Sequence, residues 1–205
     1  MKSVLLASQS KIKFEVVTKL FPPDQYTITC VDCDSCGLPA QPVNCVPRCA
    51  RIRLNYAKHV TFPQIFDFYI AIENGIVGCS TPPTIVSLEK LGSVDAQEVC
   101  DVLIEHKGLL SHSSGNVILK VPVKYLSLLS TSQFVNLPHY NISGYNNTIG
   151  DFAHNDDPLI DSKNWIQSVY GISRTTQIES SLKDAMVRVS LSRSVAETII
   201  LKYKS

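Results

Sequence analysis

Apolar residues recur with two different periods along this chain, and each change of period marks an element. Residues 3–7 (SVLLA) are aliphatic and β-branched, a polar turn SQSK follows, and then Phe14, Val17 and Phe21 fall at i, i+3 and i+7 with Val16 and Leu20 beside them. This pattern predicts strand, loop and helix, with Pro22 and Pro23 stopping the helix. Residues 26–33 (YTITCVDC) are rich in strand formers. A loop with three prolines leads to a second helix over about 48–60, where Ala50, Leu54 and Ala57 make an apolar stripe and Arg51, Asn55 and Lys58 share another face. Residues 66–78 (FDFYIAIENGIVG) are too apolar and β-branched for a surface element, which predicts a buried central strand ending in a turn at Glu73-Asn74-Gly75.

Further strands are expected over 84–89, 98–105 and 116–121, and Pro122 opens a short helix through Leu129. Residues 130–157 are polar, with Asn, Gly and Ser recurring, and read as the longest loop region. Residues 159–170 read as helical; Ile178, Leu182, Ala185 and Val189 then share a face, and Ala196, Ile199, Ile200 and Tyr203 continue in a last helix. No repeat or low-complexity linker interrupts this order, so the expected fold class is α/β, a single domain over 1–205 with helices at both ends bracketing a sheet.

Composition narrows the function classes. The 205 residues are 44% hydrophobic and 18% charged, as in a globular protein with a substantial core. A formal net charge of +1 argues against broad, sequence-independent nucleic-acid binding, which needs a Lys/Arg excess, so any anion site must be local. The apolar run at the start covers only residues 4–7, too short for the core of a signal peptide, and no stretch approaches the ~20 apolar residues that span a bilayer. A cytoplasmic protein is expected, with neither nucleic acid nor membrane as partner.

Cys30, Cys33 and Cys36 follow one another in C-x2-C-x2-C spacing, with Cys45 and Cys49 behind, a run superficially like iron–sulfur and zinc ligand runs. If 26–33 is a strand, Cys30 and Cys33 point to opposite faces and cannot share an ion. A ferredoxin run would also need a fourth cysteine three residues after Cys36, and residues 39–43 supply none. Of the two readings, metal cluster and buried structural thiols, the spacing favours thiols. The histidines at 59, 106, 112, 139 and 154 are scattered, and no local signature pairs one with a cysteine.

The turn ASQSKIK has the chemistry of an anion site: backbone N–H groups at a helix N-terminus, the hydroxyls of Ser8 and Ser10, the Gln9 amide, and Lys11 and Lys13. The alternative is a serine N-cap followed by solvated lysines. Glu73, at the end of a strand of buried character, needs a cation or a hydrogen-bond partner to offset its desolvation. Ligands of open α/β sheets gather outside the carboxyl ends of strands, where residues 8–13 and Glu73 both fall if their strands run parallel. A Mg2+–phosphate complex could bridge them, the ion taking one or two protein carboxylates plus phosphate oxygens, and that makes a nucleotide site. Asp67 lies about 20 Å from Glu73 along an extended strand. It can serve the same ion only if the strand breaks between them, and otherwise reads as a solvated strand-edge residue.

The segments LLASQSKIKFEVV, CGLPAQP, CARIRLNYA and DFYIAIENGIVG, in this order, resemble the inosine/xanthosine triphosphatase family, the non-canonical purine nucleoside triphosphate phosphatases. Later, VLIEHKG, NVILKVPVKYL, TIGDF and NWIQSVYGISRTTQI resemble that family and its eukaryotic relative, the C-terminal domain of a proline-rich coiled-coil protein. The resemblance implies an elongated, ITPase-like α/β fold with a long, twisted mixed sheet flanked by helices and a cleft between two lobes. It also implies homodimers and hydrolysis of ITP or XTP with Mg2+, or Mn2+ in its place. Carried over by position, Ser8, Gln9, Ser10, Lys11 and Lys13 would hold the triphosphate. Gln41 falls in the substrate-cleft turn, Arg51 and Arg53 match the family's Ala-Arg-Asn-Arg helix, and Arg174 matches an arginine before the C-terminal helix. Lys13 and Glu73 are then the catalytic candidates, with Glu73, Asp34 and Asp67 as candidate metal ligands.

Two departures bear on activity. VNCVPR is short and lacks the acids of the family's Glu-Glu-Thr segment, and Ser35 stands where members often have an acid, with Asp34 one residue earlier. A missing carboxylate could remove a metal ligand or the water-activating base. The eukaryotic relative has a trafficking role, so the resemblance supports two functions: a house-cleaning nucleotide hydrolase, or a non-catalytic domain that binds nucleotide or a protein partner.

Overall fold

A computed structural model describes residues 1–78 and 96–204, the side chains of 193 and 195–204 excepted. The apolar runs become a six-stranded mixed sheet. Strands β1 (Lys2–Leu6), β2 (Tyr26–Cys30), β4 (Phe68–Val77), β5 (Gln97–His106) and β6 (Leu109–Ser113) lie in the order β2-β1-β4-β5-β6, and the short β7 (Leu119–Lys120) pairs with β5. β1 runs parallel to β2 and β4, whereas β5 is antiparallel to β4, β6 and β7.

Strand alternation gives the sheet two apolar faces. On one, Leu6, Ile70, Ile72 and Val102 pack against Val16 and Val17 of α1 (Lys11–Leu20) and against Ile178, Leu182, Ala185 and Val189 of a long C-terminal helix, α6 (Arg174–Lys204). On the other, Leu5, Ala71 and Leu103 pack against Ala50, Leu54 and Ala57 of α2 (Val46–Thr61), whose first turn carries Pro47. Each large aliphatic side chain buried in this way contributes about 1.5–3 kcal/mol.

A second group of elements is built around Trp165. It holds a three-stranded sheet, in the order β3 (Gln41–Pro42), β9 (Ile142–Tyr145), β8 (Phe134–Leu137), and the helices α3 (Val123–Ser130), α4 (Ile149–Asp156) and α5 (Trp165–Tyr170). It joins the main sheet through a parallel bridge between Val43 and Ile76 and a 2.7 Å bond from Asn44 N–H to the Ile76 carbonyl.

Several expectations change. β4 runs straight through Glu73-Asn74-Gly75, which pair with Asp101, Cys100 and Val99, so no turn lies there and Glu73 is inside the strand. Gly75 serves a close approach: a Cβ there would lie 2.5 Å from Val46 Cγ2 and 2.7 Å from the Pro42 carbonyl. β2 stops at Cys30, and Cys33 is the N-cap of a 3-10 turn over Asp34–Cys36, so the argument from strand parity does not apply to it. Residues 130–157 contain β8, β9 and α4 rather than a loop, and α4 opens on a capping box between Thr148 and Asp151. Helix covers only Trp165–Tyr170 of 159–170, the strand expected over 116–121 shrinks to β7, and β6 was not foreseen. The two C-terminal helical segments are one helix. The strand expected over 84–89 lies outside the described residues.

Candidate functional site

β4 outlasts its parallel neighbour. β1 pairs with it only as far as Leu6 and Ile70, and Val43 rejoins it at Ile76, so the edge between them meets no strand. Carbonyls on that edge take different donors: Ala7 N–H at Ile70 (2.9 Å), the Lys13 ammonium at Ile72 (2.6 Å) and, past Asn74, Asn44 N–H at Ile76. A cleft of about 510 Å3 opens over this gap.

Its walls come from several separate places in the chain. The β1–α1 turn supplies Ser8, Gln9, Ser10 and Lys13. Ser8 Oγ accepts the Ser10 N–H at 3.1 Å and shapes the turn, while Ser10 holds the N-cap position without a side-chain capping bond. The first-turn N–H groups of α1, which have no partner within the helix, therefore keep their capacity for an anion. The 3-10 turn brings Asp34, formed by an Asp32 carboxylate that accepts the Asp34 N–H at 2.9 Å and closed by Gly37 at φ 71°. α2 brings Arg53, and β4 brings Glu73 and Asn74. Thr148, Asp151, Ser162 and Lys163 close the far side, and Arg174 enters from the first position of α6, its backbone N–H held by Asn164 Oδ1 at 2.7 Å.

Alternation along β4 sends Glu73 and Asn74 to opposite faces. On the α2 face, Glu73 is 4% exposed and pairs with Arg53 Nε, while Arg53 Nη1 reaches the Cys33 carbonyl at 3.2 Å and the Asp34 carboxylate at 3.6 Å. Burial opposes the Arg53 charge, but the Glu73 carboxylate outweighs it and holds the guanidinium above its ordinary value. On the α6 face, Asn74 Nδ2 donates to Gln177 Oε1 at 3.3 Å, and Arg174 Nη1 donates to the same oxygen at 3.1 Å and to Glu98 Oε1. Burial pushes the Glu98 carboxyl up from its ordinary value, against the pull of Arg174. Lys13 is moved the other way: burial lowers its ammonium below the ordinary value, opposed by Glu73 and assisted by Arg53 and Arg174.

Most of the residues singled out from sequence meet here. Ser8, Gln9, Ser10, Lys13, Asp34, Gln41, Arg53, Glu73 and Arg174 all line the cleft. Gln41 is 5% exposed, and its Oε1 accepts the Ile149 N–H at 3.2 Å, which ties the cleft turn to α4.

Three residues are elsewhere. Lys11 points to solvent, 89% exposed and 4.0 Å from Glu15. Arg51 is exposed because two residues on a helix differ by about 200°, so it cannot share the cleft with Arg53. Asp67 stays at the opposite end of an unbroken β4, where it accepts the Ser3 N–H at 2.7 Å and its hydroxyl at 3.2 Å.

The cysteines spread over separate environments. Cys45 and Cys49 lie 3.8 Å apart, sulfur to sulfur, in a small apolar cluster, and burial pushes the Cys33 thiol up to about 11. Among the described residues no group of three or more His, Cys, Asp or Glu side chains converges to hold a metal ion. No helix among them is long and apolar enough to cross a membrane.

Sequence reasoning missed Asn74, Glu98, Thr148 and Asp151 as wall residues. Only Thr148 and Asp151 left a signal, the T-x-x-D spacing of a capping box.

These features define a mixed α/β protein with a polar cleft at the edge of its central strand, lined by four cationic and four acidic side chains. No family model and no curated protein matches the chain. Among solved structures, protein VC0702 from Vibrio cholerae is similar over 91% of this chain and 94% of its own, at 18% identity and a TM-score of 0.64. A HAM1 protein from Coxiella burnetii matches over 75% of this chain and 91% of its own, at 14% identity and a TM-score of 0.38. The first likeness shows a shared fold; the second is too loose to carry an argument.

Proposed function

We propose that the cleft is the active site of a nucleoside triphosphate hydrolase that uses Mg2+ and acts on ITP and XTP. The observation that carries this reading is the convergence on one cleft of Lys13, at the bare edge of β4, with Arg53 and Arg174 from its two faces, beside Glu73 and the N-terminus of α1. Cations and helix N–H groups of this kind neutralise phosphate charge in the ground and transition states. The sequence resemblance adds the purine triphosphate.

The donor set fits Mg2+. That ion takes oxygen ligands, keeps several waters, and needs only one or two protein carboxylates beside the substrate's phosphates. Glu73 and Asp34, both in the cleft wall and both within reach of Arg53, would hold it. The bound ion would offset phosphate charge and help orient the attacking water. Lys13 and the α1 turn would bind the phosphate oxygens, and Arg174 would act at the other end of the cleft. On this reading residues 1–205 form one hydrolase domain that works in the cytoplasm as a homodimer.

A second reading rests on a specific observation. Ser35, at the position of a family acid, donates to or accepts from the Tyr56 hydroxyl at 2.7 Å, Asp34 is 94% exposed, and Glu73 is already paired with Arg53. A domain that binds nucleotide without hydrolysing it would have this arrangement.

One experiment separates the two. The purified protein is incubated with ITP, XTP, GTP and ATP, with and without Mg2+, and phosphate and pyrophosphate release are both followed. Selective release from ITP or XTP that needs Mg2+ and disappears in Glu73→Ala is expected. Equal turnover in that variant would remove Glu73 from the reaction, and silence in every lane from folded protein would leave the binding domain.

A further inference from the structure

Cys45 and Cys49 share more than an apolar cluster. Cys45 is the N-cap of α2 and Cys49 lies one turn on, its N–H bonded to the Cys45 carbonyl at 3.0 Å, so helical geometry holds the two Cα atoms about 6 Å apart. That spacing is within the range a disulfide spans. The sulfurs already lie 3.8 Å apart, so rotation of the two side chains can bring them to bonding distance.

The two thiols are not equivalent. Cys49 is fully buried, whereas Cys45, 6% exposed, lies at the rim of the cluster, flanked in sequence by the exposed residues Asn44, Pro47 and Arg48. The Cys49 S–H donates to Cys45 Sγ, which lowers the Cys45 thiol below its ordinary value, with help from Arg48, and raises that of Cys49. Burial instead pushes up Cys30, Cys33, Cys36 and Cys100. Among the described cysteines, Cys45 thus has the thiolate character of a nucleophile, and Cys49 is placed to trap what forms on it.

The oxidised form would leave no gap in the surrounding bonds. When protonated, Cys45 donates to the Ser143 carbonyl at 3.2 Å, but that carbonyl also accepts the Val43 N–H at 2.9 Å. Loss of the sulfur's proton therefore orphans no buried acceptor.

We propose that Cys45 and Cys49 form a redox site that reduces a hydroperoxide and closes into a reversible disulfide. The Cys45 thiolate attacks one peroxide oxygen and becomes a sulfenic acid; the O–O bond breaks, and the other oxygen takes a proton and leaves as alcohol or water. Cys49 then attacks that sulfur, the S–O bond breaks, and the hydroxide leaves with the Cys49 proton as water. In all, two thiols lose two electrons and two protons, and a thiol reductant reverses the bond. Neither sulfur lines the cleft, so the site stands apart from the nucleotide reading.

The test treats the reduced protein with hydrogen peroxide, blocks the remaining thiols with N-ethylmaleimide in denaturant, and maps the peptides by mass spectrometry before and after dithiothreitol. Arg48 lies between the two cysteines, so trypsin separates them and a disulfide shows as a cross-linked pair of peptides. The Cys45 and Cys49 peptides should appear joined, with the loss of two hydrogens and full recovery on reduction, about 10-fold or more faster than any oxidation at Cys33 or Cys100. In Cys49→Ser the sulfenic acid on Cys45 meets no thiol and should be captured by dimedone; in Cys45→Ser, Cys49 should stay reduced.

The wild-type result does not depend on either variant folding, and circular dichroism of the treated sample checks that the fold is intact. Folded wild type that keeps both thiols free overturns the inference. So does pairing of either with another cysteine, or passage of Cys45 to sulfinic acid without the disulfide.

Discussion

Arg53→Met isolates the Glu73 carboxylate. In the native protein the two side chains are 13% and 5% exposed and in direct contact, and Arg53 also donates to the Cys33 carbonyl. Methionine keeps much of the packing of the arginine stem but takes away the guanidinium, so a buried charge loses its nearest partner. Removing one member of such a pair costs about 3–5 kcal/mol. Lys13 remains close enough to attract Glu73, although its ammonium is held at the Ile72 carbonyl, which places the expected loss near the low end, about 3 kcal/mol. In a chain of this size each kcal/mol lowers Tm by about 2–4 °C, so melting should fall by about 6–12 °C. Glu73→Leu added to Arg53→Met should recover most of the loss, because the isolated charge is then gone. Thermal and urea unfolding at neutral pH, followed by Trp165 fluorescence and circular dichroism, measure both variants. High salt should change the result little, since a buried pair is weakly screened. An Arg53→Met variant within about 1 kcal/mol of wild type, or a double variant less stable than the single one, would refute the reasoning.

Two further perturbations probe the same strand. Burial holds the Lys13 ammonium below its ordinary 10.5, so between the lowered value and 10.5 the unfolded chain binds a proton that the folded chain has shed. Stability then rises with pH in that window: wild type should gain on Lys13→Met as pH climbs toward 10.5, and a difference in unfolding free energy that is flat or moves the other way counts against the burial of this charge. Gly75→Ala should cost about 1–3 kcal/mol through overpacking, because its Cβ meets Val46 Cγ2 at 2.5 Å and the Pro42 carbonyl at 2.7 Å. Urea unfolding checks this, and a neutral Gly75→Ala would mean that β3 is free to move away from β4.

The parts of the fold that were legible in the sequence are those where a period had room to repeat. β4 and β5 carry ten residues each, α2 sixteen and α6 thirty-one, and all were foreseen in kind. β3, β8 and β9 have two to four residues, too few to show alternation above a polar background, so their region read as loop. Gly75 misled for a different reason. Its sequence neighbours suggest a turn, while its role comes from β3, more than thirty residues away, pressing against the strand. The site divides in the same way. The β1–α1 turn, Arg53 and Glu73 could be found because type and spacing matched a known chemistry. Glu98 could not, because the only thing that marks it is a partner 76 residues away and an oxygen left over. Arg51 was separable in principle: a helix cannot aim residues two apart into one cleft.

On the proposed reading, the central strand also gives a reason for the substrate to arrive with a metal. An interior strand can tolerate polar residues only where each is answered from outside the sheet, and β4 is answered three times. α2 brings Arg53 to one face, α6 brings Arg174 and Gln177 to the other, and α1 brings Lys13 to the edge that β1 leaves bare. Yet the acids that anchor the arginines, Glu73 and Glu98, cancel two of these three positive charges before any ligand arrives. Among the described residues, of these three charges only that of Lys13 is left without an acidic partner in contact, less than the negative charge of a triphosphate. On the proposed reading a divalent cation supplies what the pairing removes. Mg2+ dependence should accordingly be strongest for triphosphates and weakest for monophosphates in binding measured by calorimetry; equal metal dependence for both would mean that the ion serves the base end of the cleft or the fold.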